Sequence, residues 1–220
     1  HYTPTVMGIE HSLNLPDFKG SWSSHSSLRS GYNKHRNSLH FTETSIKDLD
    51  SRYLDTLYSL WLSKKPHTSP ISFMCRPFTF EDDPGCRYFI AHQQELVYGV
   101  LRLTPTFNEN SDYYCDHFFS NPYYSSLKDY MLFSIISLLK SEGKKRLYLG
   151  LSPFSHQLEK LTINNILFKL VYLFNTPSFG YRGIHHYLNK FYANTKPKYF
   201  ASLANNSIPI LWKTWKMLSV

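Results

Sequence analysis

The sequence predicts an α/β fold built on mixed sheets, and three stretches carry that expectation. The run Asp112–Ser120 reads as a strand, Pro122–Lys140 as an amphipathic-to-buried helix, and Arg146–Leu151 as a short apolar strand. Strand, helix, strand in that order needs a crossover connection, which places two strands in a parallel or mixed sheet. Cys86–His92 and Leu96–Thr104, joined at Gln93-Gln94-Glu95, read as an antiparallel hairpin. Ile46–Lys64 sets Leu49, Tyr53, Leu57, Leu60 and Trp61 at helical spacing and is a core-facing amphipathic helix.

The remaining elements follow in chain order. Thr3–Leu15 carries β-branched and apolar residues interrupted by Gly8, which predicts a strand pair or a strand with a bulge, with Glu10 inside it. Ser21–Ser38 is polar and lacks acidic side chains; it predicts a short basic helix weakened by its serines and Gly31. His40–Ile46 alternates as a strand, and Asp48 and Asp50 then suit the positive end of the next helix dipole. Prolines, aromatics and an acidic turn make Pro66–Gly85 a lid-like loop. Gly143 is placed to end the helix before it at a left-handed residue. Beyond Ser152-Pro153-Phe154-Ser155, Gln157–Phe174 is a strongly apolar helix, Ile184–Phe191 a short aromatic one, and Lys198–Leu203 a closing strand. Ile208–Leu218, with Trp212, Lys213, Trp215 and Lys216, is a terminal helix that either docks on the domain or lies on a membrane surface.

A chain of 220 residues that is 42% hydrophobic buries a sizeable core, and 17% aromatics mean that much of it is Phe and Tyr. The formal net charge of +8 favours acidic partners: tRNA, anionic lipid headgroups or phosphate-bearing cofactors. Cys75, Cys86 and Cys115 have neither CxxC spacing nor an even count, which argues against a disulfide framework or zinc and for a reducing compartment. The 11 histidines contain no HExxH, and no metal site is predicted. No run approaches the roughly 20 apolar residues of a membrane span; Tyr130–Leu139 and Ile166–Phe174 have the length of core helices. With no signal-peptide pattern at His1, the sequence reads as a trimmed chain or the soluble end of a longer protein.

Phe179–Tyr199 concentrates candidate ligand-holding residues. Gly180 and Gly183 flank Arg182 and predict either a tight turn presenting its guanidinium or, more plainly, a helix start with solvated cations; Lys190 and the Lys196-Pro197-Lys198-Tyr199 exit follow. Arg29 and Asn33 share one helix face, with Lys34 and Arg36 nearby, a face that is either solvated or directed at phosphate. Asp116, on a central strand with His117 beside it, is the leading carboxylate. Ser152 ends a parallel-type strand, where ligands bind in open α/β sheets, but it lacks a G-x-S-x-G elbow.

Gly8-Ile9-Glu10, Arg29-x-x-x-Asn33-Lys34, Trp61-Leu62, Asp116, Leu149 to Phe154, Phe179-x-Tyr181-Arg182-Gly183-Ile184, Lys190-Phe191 and Pro197-Lys198-Tyr199 occur in one register over nearly the whole chain. In that order they resemble the C-terminal catalytic domain of bacterial lysylphosphatidylglycerol synthases. The resemblance implies tandem acetyltransferase-like (GNAT) units, over 1–105 and 106–220, the second carrying most of the site. It implies transfer of an aminoacyl group from aminoacyl-tRNA to the glycerol hydroxyl of phosphatidylglycerol, without a cofactor, in the cytoplasm and peripherally at the inner face of the membrane. Asp116 would serve as base or as anchor for the α-amino group, and Ser152 as a hydrogen-bonding or oxyanion residue. Glu10, Arg29, Asn33, Lys34, Arg182, Lys190, Lys198 and Tyr199 would bind substrate. Where the family commonly has Asp-Leu-Met-Arg this chain has Asp116-His117-Phe118-Phe119, and Leu188, Ala193 and Thr195 stand where the family has lysine, proline and tryptophan. Two other classes stay open: an acyl-CoA-dependent acyltransferase, against which the missing R/Q-x-x-G-x-G/A loop counts, and a nucleic-acid- or membrane-binding module without turnover.

Overall fold

The computed structural model describes residues 3–18, 26–65, 78–79, 81–106, 112–155, 163–174, 180–202 and 209. Its strands are β1 Thr3–Asn14, β2 His40–Thr44, β3 Arg87–Gln93, β4 Leu96–Pro105, β5 Tyr113–Ser120, β6 Arg146–Pro153 and β7 Asn194–Ser202. The helices are α1 Ser26–His35, α2 Ser51–Ser63, α3 Leu127–Ser141, α4 Ile163–Phe174 and α5 Tyr181–Asn189. The strands hydrogen-bond in the order β2-β3-β4-β5-β6-β1-β7, a mixed α/β sheet as the sequence predicts. Two compact units divide the chain: one of His1–His11, Ser69–Pro77 and Gly150–Val220, the other of Ser12–Thr68 and Phe78–Leu149.

In the unit of Ser12–Thr68 and Phe78–Leu149, β2, β3, β4 and β5 pair antiparallel. The crossover through α3 then brings β6 parallel to β5, with Tyr113 opposite Leu147. The expected helix Ile46–Lys64 is two pieces, a 3-10 turn Ile46–Asp48 and α2. Asp50 breaks it: its extended backbone lets Oδ1 accept the N–H groups of Arg52 and Tyr53, at 2.9 and 3.4 Å, so it caps the second piece. Leu54 and Leu57 of α2 bury against Tyr88, Ile90, Val100 and Phe119 of the sheet. The helix expected from Pro122 begins only at Leu127, because Ser126 is left-handed (φ 65°) and Asn121 Oδ1 holds the N–H of Tyr123 in the preceding turn. Gly143 is left-handed (φ 73°) as expected.

The predicted basic helix is α1, and one face of it is fixed to α3. A Cβ on Gly31 would lie 2.7 Å from Asp129 Cβ, while Tyr32 stacks on Tyr130 at 5.7 Å. Leu28 and His35 are buried on that side, and Arg29, Asn33, Lys34 and Arg36 are exposed.

In the other unit, β1 is one continuous strand rather than a pair. Gly8 is required for close approach: a Cβ would sit 2.4 Å from the carbonyl oxygen of Ser152 and 2.9 Å from Pro153 Cα. The N–H of Phe154 donates to Met7 O at 2.8 Å, and the Phe154 ring packs on Phe168 of α4 and Tyr181 of α5, at 4.9 and 5.1 Å. Among the described residues, no helix is long and apolar enough to cross a membrane. Of the loop expected over Pro66–Gly85, residues 66–77, Cys75 among them, and 80 lie outside the described residues, while Phe78 is buried in the core cluster with Tyr88 and Phe119; of the terminal helix expected over Ile208–Leu218, Pro209 alone is described.

Candidate functional site

Each unit carries a polar cluster that includes predicted site residues. The first is organised by Arg102 on β4 and Asp116 on β5. Arg102 pairs with His117 and Leu103 with Cys115, so a register shift leaves Asp116 as the extra residue of a β-bulge. A regular register would set Asp116 opposite Leu103, which is fully buried and offers a carboxylate nothing. The bulge instead turns Asp116 to the face shared by Arg102 and Thr104, two residues apart on β4. Asp116 Oδ2 accepts hydrogen bonds from Arg102 Nη2 and, at 3.1 Å, from Thr104 Oγ1.

Arg102 is 1% exposed, an expensive place for a guanidinium. It is held there by several groups: Nη1 donates to Asp83 Oδ2 at 3.0 Å, and Phe78 lies under the guanidinium at 5.8 Å. Burial disfavours its charged form, yet the hydrogen bonds and charges of Asp116 and Tyr88 outweigh that and raise its pKa. Asp83 also lines an open cleft of about 480 Å³ with Glu43, Asp82, Arg87 and Tyr88. The side chain of Asp116 is 27% exposed, and among the described residues its Oδ1 has no hydrogen-bond partner. One carboxylate oxygen is therefore fixed and the other presented.

The second cluster sits where β1 meets the end of β6. Successive residues of β1 point to opposite faces, so Glu10 and His11 enter different surroundings. Glu10 pairs with Lys198 of β7 at 2.9 Å, which joins two predicted substrate-binding residues. His11 and Ser152 are fully buried, with His11 Nε2 and Ser152 Oγ 2.8 Å apart, and Ser155 Oγ donates to Ser152 O at 2.7 Å. Burial first, and then the charge of His185, lower the His11 pKa to about 4, so the imidazole is neutral at pH 7. The rings of His11 and His185 meet edge-on at 5.8 Å, and His185 bonds Asn189 at 3.0 Å through Nε2. Among the described residues, Nδ1 of each histidine is buried without a hydrogen-bond partner.

The remaining predicted residues are dispersed. Arg182 is not on a glycine turn: it lies exposed in the first turn of α5, with Gly180 as N-cap at φ −79° and Gly183 inside the helix. Neither glycine uses positive φ, so the helix, and not a strained loop, sets the direction of the guanidinium. Lys190 caps α5 at its C-terminus, Nζ 5.2 Å above the ring of Tyr187, and Tyr199 is exposed on β7. On α1, Arg29 and Asn33 face solvent, and Lys34 donates to Ser125 Oγ at 2.5 Å. Asp116, Arg29, Asn33 and Lys34 belong to one unit, and Glu10, Ser152, Arg182, Lys190, Lys198 and Tyr199 to the other.

Two residues outside the predicted set organise these clusters. Arg102 had a sequence signal, a single cation inside the apolar strand Val100-Leu101-Arg102-Leu103, where burial demands a partner. His11 had a weaker one, a histidine between Glu10 and Ser12 in a strand that also carries Val6, Met7, Ile9 and Leu13.

Residues 2–202 match the family described as "Phosphatidylglycerol lysyltransferase, C-terminal". No curated protein matches the chain. Among solved structures, it is similar to L-PGS from Bacillus licheniformis, with a TM-score of 0.80 and 17% identity over 99% of this chain and 67% of that one. The C-terminal domain of an Agrobacterium fabrum protein described provisionally as a lysylphosphatidylglycerol synthetase gives a TM-score of 0.70 and 15% identity over 99% of this chain and 66% of that one. A conserved Bacteroides thetaiotaomicron protein of unknown function gives a TM-score of 0.58 and 11% identity over 93% of this chain and 62% of its own. The chain thus spans about two thirds of the length of the structures it matches.

Proposed function

Because the chain belongs to the phosphatidylglycerol lysyltransferase C-terminal family, we propose that it transfers an aminoacyl group from aminoacyl-tRNA to the glycerol hydroxyl of phosphatidylglycerol. The observation that carries this reading is the bulge at Asp116, which fixes one carboxylate oxygen on buried Arg102 and presents the other. In the reaction, a lipid hydroxyl oxygen bonds to the ester carbonyl carbon, the bond to the tRNA ribose oxygen breaks, and the hydroxyl proton ends on that ribose oxygen. Asp116 Oδ1 serves this chemistry as acceptor for the α-ammonium of the donor or for the proton of the attacking hydroxyl. Arg102 and Thr104 keep the carboxylate in one orientation, so its geometry is set before substrate arrives.

Cations supply recognition of the two phosphate-bearing substrates. Arg29, Lys34 and Arg36 form an exposed basic edge at α1, a helix whose other face is packed on α3, and they take tRNA phosphates. Arg182, Lys190, Lys198 and Tyr199 are the candidates for contact with lipid phosphate, and Ser152 and His11 form a neutral hydrogen-bonding pair on β6 and β1. Changing Arg29, Lys34 and Arg36 together to Ala is expected to raise the apparent KM for charged tRNA and to flatten its logarithmic salt dependence by about two to three units. Initial rates measured over a salt series check this; an unchanged slope would return the α1 face to solvent and leave donor binding elsewhere.

A further inference from the structure

Helix α4 presents an apolar stripe to solvent. Ile166, Leu170 and Leu173 are 41%, 40% and 51% exposed, unusual for branched aliphatics on a helix whose opposite side is already packed. At 100° per residue the three fall within about 60° of arc, while Phe168, which packs on Phe154, lies on the far side. Lys169 flanks the stripe, with Nζ 5.4 Å over the ring of Tyr172. The neighbouring helix α5, joined to α4 through the Tyr172–His185 ring contact at 6.1 Å, carries Arg182, His186 and Lys190 on its exposed side. Four-residue spacing aligns those three basic side chains along one face.

We propose that the stripe Ile166, Leu170 and Leu173 docks this unit on an anionic bilayer. The occupant follows from charge and chemistry together: aliphatic side chains enter the acyl boundary, and Lys169 with the α5 cations meets anionic headgroups. A zwitterionic surface would use only the first half of that design. The inference rests on the proposed lipid acceptor for its purpose, since a soluble domain acting on a membrane lipid gains by being held where that lipid is.

Vesicle co-sedimentation of the 220-residue chain tests it, using phosphatidylcholine alone and an equal mixture with phosphatidylglycerol. The wild type is expected to bind the mixed vesicles, to bind phosphatidylcholine vesicles less, and to lose affinity as salt rises. Leu170→Ser with Leu173→Ser should lower affinity for mixed vesicles by about tenfold or more, while circular dichroism and melting stay as in the wild type, because both side chains are exposed. Equal vesicle affinity of variant and wild type overturns the proposal. So does a dimer in sedimentation equilibrium that the double variant dissolves, which would give the stripe to a second copy of this chain. Transfer to a short-chain, monomeric phosphatidylglycerol separates docking from catalysis: the double variant should match the wild type there and fall behind on vesicles. If neither form transfers to any lipid while the vesicle difference persists, docking stands and the transfer reading fails.

Discussion

Asp116→Asn should leave the protein folded and lower transfer by about a hundredfold, within the range for losing an acid/base group or a charge-assisted anchor in the transition state. The substitution is nearly isosteric and removes only the charge. Arg102 keeps Asp83 as its second partner, so the guanidinium is not stranded in the sheet. The two roles open to Oδ1 separate in the kinetics. An anchor for the α-ammonium contributes to donor binding, so its loss raises KM for charged tRNA; a proton acceptor works only in the transition state, so its loss falls on kcat. Activity equal to wild type in both parameters would remove Asp116 from the site.

Arg102→Ala should cost about 3 kcal/mol of stability, the low end of the range for breaking a buried ion pair, because Asp83 and Asp116 keep some contact with water. At this chain length that corresponds to a melting temperature lower by roughly 6–12 °C. The same truncation at Arg87 is the internal comparison. Arg87 holds Glu43 and Glu142 in two forked pairs at 2.6–2.7 Å, but in a more solvated position, so its loss should cost only about 1 kcal/mol. A melting curve for Arg102→Ala that overlays the wild type would mean that Arg102 is not what holds Asp83 and Asp116 in place.

The α/β class and the crossover were legible because they rest on periodicity: α2, α3, the β3–β4 hairpin and the parallel β5–β6 pair all carry strong local patterns. Boundaries failed where one polar side chain or one dihedral decides them, at Asp50 and Ser126. Asp116 was legible as a carboxylate in an aromatic strand, and the bulge that aims it was not, because a one-residue register shift leaves no mark on a run as uniform as Tyr113 to Phe119. At Arg182 the sequence offered two readings, a tight glycine turn and a helix start; α5 is the helix start, and it accommodates both glycines without positive φ. Contacts such as Glu10 with Lys198, or His11 with Ser152, join residues far apart in the chain and needed the sheet order to be seen.

Mass spectrometry of the lipid tests the central claim most directly. The protein is incubated with a set of tRNAs charged with isotope-labelled amino acids, beginning with lysyl-tRNA, and with phosphatidylglycerol vesicles, and the extracted lipid is analysed. The account predicts a phosphatidylglycerol species heavier by one labelled aminoacyl group, held by a base-labile ester, and absent when the tRNA is uncharged or the lipid omitted. It is contradicted if no charged tRNA yields such a lipid and the label leaves tRNA at the same rate with and without phosphatidylglycerol.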